Sequence, residues 1–269
     1  MKDFAFSPAE AALSPSIVRD GRKLTLCFGI GRSGQRWLAR LFDLHESCSG
    51  GCERHPESEP FVRYVSWNNL PIDNSGYESL LWQSIYWDWQ RANQSFCASP
   101  YWCFNALDLV KRLQPDAVIW VLRAPEPTIA SFATKGWFAA APTHTPERGI
   151  PGIQPEHWKF PYRAFGRILP KDQATRDDWP TMHPVERVAW FAETATTALS
   201  QAWPEIEQVV PNALRIRLED LDQNYKAYKR LATWAELYPV MKKRAFLGLK
   251  ETMSNRGSPH RKGPSFSEL

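Results

Sequence analysis

The sequence predicts a single α/β domain with a mostly parallel central sheet flanked by helices. Three stretches predict it. Leu24 to Phe28 is a short apolar run of strand type; a glycine-rich turn, Gly29 to Gly34, follows it, and then Trp37, Leu38, Leu41 and Phe42 recur at helical spacing. Ala117 to Leu122 is a second apolar run of buried-strand length, and Leu214 to Leu218 alternates Leu, Ile and Leu with Arg215 and Arg217. Helical patterns stand between these strands, which is the alternation of a doubly wound sheet.

Residues 1–22 carry two prolines, several charges and a short helical patch at Ala9–Leu13, and are expected to form an N-terminal arm to a domain over 23–269. In the loop after the first strand, glycines at 29, 31 and 34 let the backbone turn sharply and aim successive N–H groups inward at the N-terminus of the next helix. Such a cradle takes an anion, most simply a phosphate. It is not a nucleoside-triphosphate loop of the usual kind, because Gln35 and Arg36 stand where Lys and Ser/Thr are required and no hydroxyl is offered to Mg²⁺. Nor is it a dinucleotide loop, since no acidic residue closes a strand about 20 residues on.

His45 to Pro56 reads as a turn-rich loop holding Glu53 and His55, and in a doubly wound fold such a loop faces the ligand crevice. Residues 61–105 are rich in aromatics, most of them core, with a helix over Glu78 to Gln94. Ala106 to Leu113 and Thr128 to Thr134 read as helices on either side of the second strand. Residues 142–184 hold eight prolines with few periodic apolar positions, too long for an ordinary connection, and are expected to be an acceptor-side insertion or lid. An amphipathic helix over Pro184 to Trp203 and another over Tyr225 to Tyr238 complete the pattern, and a basic run follows the second.

Composition excludes some classes. A net charge of +4 falls short of the clustered basicity of a nucleic-acid binder. No 18 apolar residues run together and Met1 to Pro8 has no apolar signal core, so neither a membrane partner nor export is expected, and the chain reads as cytoplasmic. The five cysteines lack zinc spacing and read as reduced thiols; no metal is expected.

Three motifs in order carry a resemblance. Arg32-Ser33-Gly34 with Trp37, then Arg123 ending a strand with Ser131 eight positions later, then Arg261-Lys262-Gly263 near the C-terminus, resemble the sulfotransferases that use 3′-phosphoadenosine 5′-phosphosulfate (PAPS). The resemblance spans residues 24 to 263. It implies a P-loop-like 5′-phosphosulfate loop in which Gly31, Arg32, Ser33 and Gly34 cradle the donor and Trp37 stacks on adenine, while Arg123, Ser131, Arg261, Lys262 and Gly263 hold the 3′-phosphate. Gln35 and Arg36 depart from the family's hydroxyl residues, and either can replace them as a donor to an oxyanion. His45 followed by Glu53 looks like the arrangement that carries the base in several branches, which makes Glu53 the first candidate base and His55 the second, with Arg32 as the cation on the leaving group.

The expected activity is therefore sulfuryl transfer from PAPS to a hydroxyl or amine of a small molecule, leaving adenosine 3′,5′-bisphosphate (PAP). Two alternatives stand beside it: an atypical P-loop kinase, and a nucleotide-binding homologue that has lost the chemistry. The acceptor's identity and the oligomeric state are not written in the residues.

Overall fold

The structure, a computed structural model, describes residues 19–139, 165–222 and 224–253. Five parallel strands form one sheet in the order β2-β3-β1-β4-β5: β1 Lys23–Phe28, β2 Cys48–Cys52, β3 Gln94–Ala98, β4 Ala117–Leu122 and β5 Ala213–Arg217. The chain starts in the centre, steps out to the β2 edge, returns through β3 and then crosses to β4 on the other side of β1. This reversal opens a crevice at the carboxyl ends of β1, β3 and β4, and the glycine loop stands there.

Side chains alternate across the sheet as a strand requires. Leu24, Leu26 and Phe28 face one core with Val118 and Trp120, against α3 (Ser75–Trp89), α4 (Ala106–Leu113) and α7 (Pro184–Val209). Cys27, Phe96, Ile119 and Val121 face the other, against α1 (Gln35–Asp43), α9 (Tyr225–Trp234) and α10 (Lys243–Met253). The remaining helices are α2 (Glu59–Asn68), α5 (Pro125–Ala133), α6 (Gln173–Asp178) and the single turn α8 (Leu218–Leu221).

Several boundaries differ from the sequence reading. The loop expected over 45–56 contains the edge strand β2, and the helix expected over 78–94 starts and ends earlier, leaving Gln94–Ala98 as β3. α7 passes through Pro204 to Val209 instead of stopping at Trp203. An interior proline costs roughly 3 kcal/mol, but the extension keeps Trp203 and Ile206 completely buried and seats the Trp203 ring 5.4 Å from Trp120. Lys243, Arg244 and Lys250 of the basic run after α9 lie in α10, whose Phe246 stacks on Tyr228 at 4.6 Å.

Of the proline-rich segment, residues 165–184 are described. Phe165, Ile168 and Trp179 are almost fully buried there, so this end is packed and not merely draped over the surface. Most of the arm and the Arg261-Lys262-Gly263 match lie outside the described residues. Where description begins, Arg19 is tied to the start of β4 by a 3.2 Å ion pair with Asp116.

Candidate functional site

The loop between β1 and α1 is shaped by what its glycines leave out. At Gly34, φ is +100°, and a Cβ there would stand 2.7 Å from Leu218 of α8. At Gly31 a Cβ would press 2.8 Å from the Phe132 ring of α5. Ser33 is buried, and both its N–H (3.3 Å) and its hydroxyl (2.6 Å) donate to the Ile30 carbonyl, closing the turn. Gln35 is buried too, its amide donating to the Cys27 carbonyl at 3.4 Å beneath the loop.

Two motifs that lie about 90 residues apart in sequence meet at the loop's rim. Arg32, itself in the left-handed region at φ +68°, donates from Nε to the Ser131 hydroxyl at 2.8 Å. Arg123 donates from Nη1 to the Arg32 carbonyl, also at 2.8 Å. Ser131 accepts in this bond and so keeps its own proton for a ligand. Burial first, then repulsion from Arg123 and Arg36, pulls the Arg32 guanidinium below its ordinary range, with Glu53 pulling the other way. Crowded guanidinium groups with one nearby carboxylate are a site that an anion stabilises.

Glu53 follows β2 directly. Its backbone lies at φ +55° and its N–H donates to the Ala98 carbonyl at 2.9 Å, which carries the turn across the end of β3. Its carboxylate pairs with Arg36 at 3.0 Å, and Arg36 is largely exposed. Two non-glycine residues in the left-handed region, Arg32 and Glu53, thus border the crevice, where such strain tends to accumulate. His55 is half-buried, with Nε2 3.0 Å from the Ser84 hydroxyl; burial draws its imidazole below the usual range. His45 is elsewhere: it is buried at the end of α1, with Nδ1 3.0 Å from the Leu41 carbonyl and Nε2 2.9 Å from the Tyr228 hydroxyl. Trp37 is partly buried and meets Phe246 edge-on at 6.5 Å.

The structure adds a residue that the sequence reading passed over. Glu59, at the start of α2, has no exposed surface; one carboxylate oxygen accepts from the His55 N–H at 3.0 Å and the other from the Ser99 hydroxyl at 2.5 Å. Burial pushes its pKa from 4.5 up to about 7, against the opposing pull of these two bonds. Between those values the folded chain holds a proton that the unfolded chain has released, so stability falls as pH rises through this window and the penalty is complete above it. For this group alone the loss is up to about 3 kcal/mol. Urea midpoints measured at pH 5 and pH 8 should show it, and Glu59→Gln should flatten the difference.

Among the described residues no three of His, Cys, Asp or Glu converge to hold a metal. An open depression of about 800 Å³ lined by Asp222, Tyr225, Lys226, Lys229 and Lys243 shares no residue with the loop or with the Arg123 motif. No family model matches the chain, and no curated protein matches it.

Proposed function

We propose that this chain is a PAPS-dependent sulfotransferase acting on a hydroxyl or amine of a small molecule, with adenosine 3′,5′-bisphosphate as the second product. The observation that carries the reading is the joining of the two motifs, Arg32 to Ser131 and Arg123 to the Arg32 carbonyl, at the carboxyl edge of the central strands. A glycine cradle beside a second anion site is what a ligand with two separated phosphate groups requires.

In this reading the loop N–H groups and Arg32 hold the 5′-phosphosulfate, while Arg123 and Ser131 hold the 3′-phosphate. Arg261, Lys262 and Gly263 belong to the same proposal on sequence grounds. The acceptor oxygen forms its bond to sulfur as the bond from sulfur to the 5′-phosphate oxygen breaks. The acceptor's proton passes to Glu53 or His55, and Arg32 balances the charge gathering on the leaving oxygen. The reaction needs no redox partner. Among the described residues no helix is long and apolar enough to cross a membrane, and a cytoplasmic site of action belongs to the proposal.

The Arg36–Glu53 pair favours a second reading. One oxygen of the Glu53 carboxylate already accepts from the Arg36 guanidinium at 3.0 Å, which ties up part of the group that would take the acceptor's proton. A chain that binds the nucleotide without turnover is consistent with that pair left closed.

The test is calorimetric titration of the full chain with adenosine 3′,5′-bisphosphate in EDTA, beside ATP with Mg²⁺. Metal-independent binding of the bisphosphate in preference to ATP is the expected result. Binding of ATP·Mg²⁺ alone would replace the proposal with a kinase.

A further inference from the structure

We propose that Glu59 is a positioning residue of the crevice: by accepting from the His55 N–H and from the Ser99 hydroxyl it locks the Glu53–His55 turn to the carboxyl end of β3, and its ionisation sets the strength of that lock. The proposal rests on the donor-binding reading of the crevice and assigns that site a proton-linked support which the mechanism above does not use.

The geometry is specific. Glu59 stands where α2 starts, and its two oxygens reach two different elements, the turn after β2 and the segment after β3. The Ser99 hydroxyl gives its one proton to Glu59 and accepts the Tyr101 N–H at 3.1 Å, so its bonding is fully directed. Farther along α2, Arg63 donates to the Gly166 carbonyl at 2.9 Å and to the Pro100 carbonyl, and its guanidinium lies over the rings of Tyr101 and Phe191. Glu59 and Arg63 are one turn apart and both buried, yet each is bonded to other elements. α2 therefore fixes the candidate base turn and the end of β3 against each other.

A carboxylate accepts both hydrogen bonds with charge assistance. A protonated carboxyl has one neutral acceptor left and must itself donate, so Ser99 has to turn its proton elsewhere and the bond from His55 weakens. The titratable and charged groups facing Glu59 are Glu53 and Arg54 in the turn, His55 beside them, Cys52 at the end of β2, Cys97 in β3 and Tyr77 in α3, while Arg63, one turn along its own helix, is turned to the Gly166 and Pro100 carbonyls. Burial and the charge of Glu53 favour the neutral acid, while Arg54 and the two hydrogen bonds favour the carboxylate. The two forms are close enough in energy for a neighbouring ligand to choose between them. A polyanion in the crevice opposes one more negative charge, so its binding draws a proton onto Glu59.

The experiment uses the full chain, wild type and Glu59→Gln, from pH 5.5 to 8.5. Glutamine is isosteric and offers an acceptor to the His55 N–H and donors to Ser99. First, backbone amide NMR without ligand: the His55 and Tyr101 amides should share a midpoint near neutrality in the wild type and lose it in the variant. Superimposable profiles would overturn the proposal. Second, calorimetry with adenosine 3′,5′-bisphosphate: from pH 6 to 8.5 the wild type should lose about 3- to 10-fold more affinity than Glu59→Gln, the ligand's own titration being common to both. Equal profiles with good binding would overturn the role of Glu59 and leave the donor site standing. If neither protein binds the bisphosphate, the donor reading falls and the amide titration alone decides whether Glu59 locks the turn. A purely structural glutamate would change stability and titrate in the amide spectrum but leave the pH profile of bisphosphate affinity unmoved.

Discussion

Replacing Arg123 with alanine is expected to weaken adenosine 3′,5′-bisphosphate binding by about 10²- to 10³-fold while the fold survives. The proposed donor site gives Arg123 two tasks at the rim of the crevice. Its Nη1 donates to the Arg32 carbonyl at 2.8 Å, bracing a loop residue that sits in the left-handed region, and a guanidinium has four further N–H donors for a phosphate. Truncating one side of a partly desolvated charge-assisted pair typically costs 2–5 kcal/mol, and each 1.4 kcal/mol is tenfold in affinity. Repulsion acts in the same direction: removing Arg123 relieves Arg32, whose charge it opposes. That relief helps the empty loop more than the loaded one, because a bound phosphate already screens the pair, so it adds to the loss of affinity. Arg123→Lys should recover little, since a point charge cannot brace the carbonyl and grip a phosphate together. Lys111→Ala, which removes an exposed pair with Glu205, is the control and should bind as the wild type does. Calorimetry at two salt concentrations completes the test, because the wild-type contact should weaken with ionic strength more than that of the alanine variant. Unchanged binding in Arg123→Ala would remove the 3′-phosphate from this position.

What the sequence disclosed and what it hid follow one physical division. β1 and β4 are legible because a central strand covered on both faces is nearly all apolar, and Leu24–Phe28, with Thr25 its one polar residue, and Ala117–Leu122 are. The loop is legible because a sharp turn into a helix needs glycine. β2 is not: Cys-Ser-Gly-Gly-Cys has no strand signature, and its glycines answer to neighbours instead. A Cβ at Gly50 would run into the Ala39 carbonyl of α1, and one at Gly51 into the Arg54 guanidinium at 2.6 Å. β3 hides behind Gln94 and Ser95, two polar residues that are buried and satisfied outside the sheet, by the Glu236 carbonyl and by Asp88 at the end of α3. Glu53 and His55 stand out in the sequence as candidates because a turn at a strand end of a doubly wound sheet faces the crevice. Glu59 was missed because a glutamate beside Pro60 looks like an ordinary acid in the first turn of a helix, and its burial depends on Ser99, which is 40 residues away. The signal available was the density of acids, Glu53, Glu57 and Glu59, around two prolines and a histidine.

The same turn depends on a buried pair that lies behind it, and breaking that pair should be the costliest single change for stability: Asp88→Ala is expected to lose about 3–5 kcal/mol. The Asp88 side chain is 5% exposed and accepts four hydrogen bonds, from Arg54 Nη1 (3.1 Å) and Nη2 (2.5 Å), from Ser49 Oγ (2.8 Å) and from Ser95 Oγ (2.5 Å). It thereby joins α3 to β2, to β3 and to the turn. Alanine would leave the Arg54 side chain, 17% exposed, facing a vacated acceptor, with the Phe96 carbonyl at 3.1 Å still accepting from it. An uncompensated buried charge is what makes such a change severe, and the loss is a large share of the 5–15 kcal/mol that holds a domain of ordinary stability. Urea unfolding measures it directly. The double variant Asp88→Leu/Arg54→Met should recover much of the deficit, because removing both charges removes the desolvation penalty with the attraction. Breaking the exposed Lys111–Glu205 pair should cost less than about 1 kcal/mol by the same assay. A similarly small cost for Asp88→Ala would mean that water reaches Arg54 as the turn relaxes. In that case the Glu53–His55 turn would rest on the bond from the His55 N–H to Glu59 and on the bond from the Glu53 N–H to the Ala98 carbonyl, and bisphosphate binding in Asp88→Ala would be preserved where the braced turn predicts that it weakens.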